Sequence, residues 1–185
     1  MDGSARRLGG VRTQRTGRRF TPGTIHRLVN DGDLRITVLM QNSGLPEAGD
    51  AVFTLPPEYL TDPETYAAAT TIPADAPEEE RKRIAHARRD LALEGYRALR
   101  DAAGAEALAA FYRAAAALVR PRLAEWRERW RHGAEAAAAA TGKQLDRLER
   151  GDVSHLDGAF VRAELPSVYG RFGMCGRLDV YEGTP

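Results

Sequence analysis

Cysteine is almost missing from this chain. Cys175 stands alone, which excludes an internal disulfide framework and a cysteine-built zinc centre. Lysine is nearly as scarce, present only at Lys82 and Lys143, so arginine carries almost all of the positive charge. No stretch approaches the roughly 18 consecutive apolar residues that a membrane span needs. The polar, basic start from Met1 to Arg7 lacks the apolar core of a secretory signal. A cytoplasmic protein with no membrane partner is the expectation. Also missing are a Walker-type glycine loop, a dinucleotide fingerprint and a nucleophile elbow. His26, His86, His132 and His155 show no paired ligand spacing. These absences point to a chain without a cofactor and without catalytic activity.

What is present suits one globular domain. The chain has 185 residues, of which 43% are hydrophobic and 29% charged, a composition that can bury a core. The net charge of +1 hides an asymmetry. Residues 1–19 hold Arg6, Arg7, Arg12, Arg15, Arg18 and Arg19 against Asp2 alone, and read as a flexible arginine-rich arm ahead of a single domain over 20–185. Alanine and arginine are both abundant, as a GC-rich gene would supply. Arginine count alone is therefore no argument for nucleic acid.

Periodicity predicts an α+β fold that is predominantly helical. A short helix is expected from Thr21 to Gly32, then strands at Leu34–Met40 and Ala51–Leu55, the second stopped by Pro56 and Pro57. Asp75-Ala76-Pro77-Glu78 reads as a helix start with Asp75 as the cap. From there one apolar stripe runs through Ile84, Leu91, Tyr96 and Leu99 to Gly104. A second helix begins at Ala105 and carries Leu108, Phe111, Leu118 and Val119. Pro121 is expected to kink or break it. Leu123, Trp126 and Trp130 keep helical spacing beyond the proline, followed by the alanine run 136–140 and a stop at Gly151. The core is thus a helical hairpin or three-helix bundle over about 76–150. Ala159–Leu165 and Met174–Glu182 read as strands, which the simplest architecture joins with the N-terminal ones in one small sheet.

Two short constellations carry possible chemistry. Glu164, followed by Gly176-Arg177-Leu178-Asp179, resembles the first half of the PD-(D/E)XK nuclease signature. That resemblance implies Glu164 and Asp179 as ligands of a divalent metal, with His155 as an upstream histidine. The acid-x-lysine strand of that family does not follow Asp179 in this chain. The segment Phe20–Leu34 is similar to the helix-and-glycine-turn part of small helix-turn-helix modules such as excisionases. That resemblance implies phosphate contacts from the arm and base contacts from the segment, including Arg27.

The reading favoured by the residues is a non-enzymatic interaction or assembly protein. Trp126, Trp130, Ala136 and Ala140 are its candidate interface, because small side chains allow close helix approach and tryptophans supply large apolar area. A protein partner or self-association is expected, and the basic arm suits a phage or mobile-element protein. The alternative is a nucleic-acid-processing factor, either a DNA-binding accessory protein or a partial PD-(D/E)XK-like nuclease.

Overall fold

The computed structural model describes residues 21–32, 34–36, 45–46, 48–102, 104–161, 163, 165–174 and 176–181. Its elements in chain order are α1 (Pro63–Thr70), α2 (Glu78–Asp101), α3 (Ala105–Val119), α4 (Leu123–Trp130), α5 (Ala136–Glu149), β1 (Val168–Phe172) and β2 (Arg177–Val180). The fold is predominantly helical α+β, with one antiparallel two-stranded sheet formed by β1 and β2. The α1 helix has the clearest local cause. Asp62 precedes Pro63, and its carboxylate accepts the Thr65 backbone N–H at 2.8 Å, which satisfies one of the orphan donors of the first turn.

Several expected elements differ. Thr21–Gly32 is not a helix: it opens on a turn and continues without regular structure. Asn30 accepts the N–H groups of both Gly32 and Leu34 with its side-chain oxygen, a local turn that competes with a helical ladder. Residues 34–36 and 51–55 form no strand ladder, while 37–40 lie outside the described residues. The described sheet is therefore C-terminal alone. Residues 159–161 are irregular, and β1 begins only after Pro166. Asp75 does not cap α2, whose N-cap position is Pro77, with no side-chain cap hydrogen bond.

The segment expected as a second strand has a different role. It runs alongside α2 without strand pairing, and the Leu55 N–H donates to the Phe53 carbonyl at 2.8 Å in a tight turn. The Thr54 hydroxyl donates to the Ala92 carbonyl at 2.9 Å. A Cβ added to Gly95 would sit 2.2 Å from the Thr54 oxygen and 2.3 Å from the Leu55 carbonyl carbon. Glycine in mid-helix normally costs about 1 kcal/mol; here it lets two backbones touch. Leu55 and Leu60 are thereby delivered to Leu118 of α3, and these three form the buried cluster. Val52, Phe53 and Tyr66, with Leu91, Phe111 and Ala114, pack around it. Burial raises the pKa of the Tyr66 phenol, whose oxygen accepts the Phe53 N–H at 2.9 Å.

Arg88 of α2 joins the remaining parts. It donates to the Thr70 carbonyl at 2.9 Å and the Gly173 carbonyl at 2.7 Å, and its guanidinium lies 4.7 Å from the Phe53 ring centroid. The hairpin docks alongside. Phe172 is flanked by Arg81 at 5.1 Å and Arg177 at 4.4 Å, and Arg177 pairs with Glu78.

Replacing Gly95 by alanine tests the close approach. In an open helix the change would add stability; here it is expected to lower the unfolding free energy by about 2 kcal/mol, through overpacking against backbone. Urea denaturation reads the sign, and a gain would contradict the contact with residues 54–56.

Candidate functional site

The helical run from Ala105 to Glu149 does not break at Pro121. Residues Arg120–Arg122 form a 3-10 turn with helical dihedrals on both sides. The missing proline N–H is tolerated because that turn starts a new hydrogen-bonding register. Farther on, Arg131–Glu135 form a π turn, in which the Ala136 N–H reaches the Arg131 carbonyl. The run ends as expected at Gly151, which has a φ of 73° and donates to the Leu148 carbonyl at 2.9 Å.

The first half of this run is held against the body. Leu118 is buried, and Arg122 reaches back to the carbonyls of Ala48 and Gly49 while its guanidinium sits 5.2 Å from the Trp126 ring centroid. Beyond Ala134 every residue through Gly151 is exposed. The distal segment therefore forms a helical rod that is exposed along its length from Glu135 to Glu149.

The rod is not polar all round. Leu123, Trp126, Trp130, Ala134, Ala138, Thr141, Leu145 and Leu148 recur at spacings of three and four residues. Three successive spacings of four would drift around an ordinary helix, and the extra residue in the π turn takes that drift back. The result is one apolar seam. Leu123, Trp130, Leu145 and Leu148 are all exposed along it, Leu145 to 62%. Trp126 is half-buried, and its indole N–H is closed off from solvent without a partner. Leu45, Leu123, Trp126, Arg127 and Trp130 line a shallow hollow at the seam's base.

The expected interface residues thus fall on one continuous helical run, α4 through α5. Trp126 and Trp130 lie on the seam, and Ala136 and Ala140 are exposed beside it on α5. Leu145 and Leu148, which complete the seam, escaped the sequence reading, although their spacing from Thr141 carried the signal. The other candidates are not brought together. Arg6, Arg7, Arg12, Arg15, Arg18 and Arg19 lie outside the described residues, as does Glu164. Arg27 is exposed on the irregular N-terminal segment.

Asp179 has a structural partner. It lies on β2, where its carboxylate accepts the Gly170 N–H at 3.0 Å, and Arg177 donates to the Gly170 carbonyl at 3.1 Å. Gly170 has a φ of 61° and falls where the register of the two strands shifts, between Val168 and Arg171. Both of its backbone groups are thereby satisfied at the bulge. His155 sits in a 3-10 turn after α5 with its Nδ1 buried and unpartnered. Among the described residues no group of three or more His, Cys, Asp or Glu is placed to hold a metal. None of the described helices is long and apolar enough to cross a membrane.

No protein-family model, curated protein or solved structure matches this chain.

Asp152 secures the turn after the rod. Its carboxylate accepts the Ser154 N–H at 3.0 Å, and its bonds to Ser154 hold its pKa below the ordinary 3.8. A folded pKa below the unfolded one means stability that is present above about pH 4 and lost as pH falls through the lowered value. Helical ellipticity at 222 nm is expected to fall in that acid range. Asp152→Asn should show a smaller acid-dependent loss, and an unchanged acid profile would remove Asp152 from that role.

Proposed function

We propose that this chain is a non-enzymatic assembly protein that associates through the seam of its distal helical rod. The observation that carries the reading is the exposure of that seam along α4 and α5, with leucines and a tryptophan left in water. Burying one such side chain is worth roughly 1.5–3 kcal/mol. Most helical stability in proteins comes from packing an amphipathic face, so a partner that covers the seam stabilises the helix that presents it.

The size of the core supports the same reading. Among the described residues the buried hydrophobic side chains are Ala48, Leu55, Leu60 and Leu118. Large apolar side chains stay exposed on the rod and again at Leu156, Val161 and Leu165. A contiguous exposed apolar stripe, as against scattered exposed side chains, supports an interaction surface.

Sedimentation velocity of the full chain between about 5 and 100 μM tests the reading. Association that weakens at least tenfold on Trp130→Ser or Leu145→Ser, about 1.4 kcal/mol or more, is the expected result. A monomer throughout that range would overturn it, as would association indifferent to both substitutions.

A further inference from the structure

The seam has an order of sizes that selects its own complement. Its first part is bulky, with Leu123, Trp126 and Trp130. Its middle is small, with Ala134 and Ala138, and its last part is intermediate, with Thr141, Leu145 and Leu148. Resting on the assembly reading above, we infer that the occupant of the seam is the same seam of a second copy, laid antiparallel.

In that register Leu123 lies opposite Leu148 of the second copy, Trp126 opposite Leu145 and Trp130 opposite Thr141, while Ala134 falls one residue short of facing Ala138, both beside the axis. The two-fold axis falls between Glu135 and Ala136. Helices that pack with a crossing angle near 20° approach most closely at one point and splay toward both ends. Alanine sits at the closest point, and each widening end receives one tryptophan-bearing half and one leucine-bearing half. A parallel pair would stack four tryptophans at one end and leave only leucine and threonine at the other. The gap between two straight rods cannot fit both.

Charge selects the same arrangement. From Arg120 to Arg131 the rod carries five arginines, Arg120, Arg122, Arg127, Arg129 and Arg131, against Glu125 and Glu128. Glu125 and Glu128 are paired within their own helix to Arg129 and Arg131. The α5 segment is balanced, with Lys143 and Arg147 against Asp146 and Glu149. Parallel pairing would bring two arginine-rich halves together. Antiparallel pairing sets each against a neutral half, brings Glu149 level with Arg122, and opposes the helix dipoles. An isologous pair of this kind closes on itself and leaves no open end for further growth.

Pulsed electron-electron resonance on full-length protein measures the direction. Nitroxide labels are placed singly at Lys143→Cys and Arg150→Cys in a Cys175→Ser background, because both positions are exposed and off the seam. Taking 1.5 Å per residue, the antiparallel register gives label separations of about 22 Å at position 143 and about 44 Å at position 150. An increase of about 20 Å between the two positions is the expected result. Equal, short separations at both would overturn the antiparallel assignment and leave the assembly reading standing. No dipolar signal, together with monomeric sedimentation of the labelled protein, would overturn both.

Discussion

A single guanidinium, that of Arg88, holds together parts of the chain that share little else. It projects from α2 and takes the carbonyl at the end of α1 and the carbonyl at the tip of the C-terminal hairpin, while lying over Phe53. Two carbonyls in different elements need a planar donor with several fixed N–H groups, which arginine has and lysine lacks. Burial lowers its pKa, yet a guanidinium stays charged. The stacking and the two bonds together offset the cost of bringing that charge out of water. The hairpin is further tied to α2 by the Arg177–Glu78 pair and by Arg81 beside Phe172.

The division of the molecule follows from where backbone meets backbone. Gly95 removes the side chain that would keep residues 54–56 away from α2, so Leu55 and Leu60 reach α3 and close a core of small extent. Along α5 the described residues show no such approach: an added Cβ at Gly142 would meet nothing. The distal helix is instead supported by local bonds: exposed i,i+3 and i,i+4 ion pairs on α4, the π turn, and the glycine stop. Such local bonds are worth a few tenths of a kcal/mol each, which keeps a helix shaped without explaining its apolar stripe.

The helices from α2 to α5 were legible in the sequence because their apolar stripes are long, whereas the short α1 gave no stripe to read. The end of α2 near Gly104 and the stop at Gly151 came from spacing and end signals, whereas the start of α2 lacks the expected Asp75 cap. The N-terminal region was not legible. Leu34–Met40 and Ala51–Leu55 alternate or cluster as strands do, but a segment has the same pattern whether it pairs with a strand or lies on a helix. Gly95 was the residue that distinguished the two outcomes for 51–55. Two aspartates stand near prolines at helix starts, and they behave differently. Asp62 stands directly before Pro63 and caps α1, whereas Asp75 is separated from Pro77 by Ala76 and caps nothing. The candidate interface was half visible: the tryptophans stood out, but Leu145 and Leu148 lay beyond an alanine run that hides the stripe's continuity.

Arg122 sets the direction in which the rod leaves the body, through its grip on the carbonyls of Ala48 and Gly49. From that anchor to Glu149 the helix extends about 40 Å at 1.5 Å per residue. The rod is therefore a lever with its fulcrum at a short loop. Taking that same length, a rotation of about 5° at the fulcrum would sweep the tip through roughly 3.5 Å, more than half a helical turn. Small changes in loop geometry, too slight to disturb the core, are thus magnified at the far end.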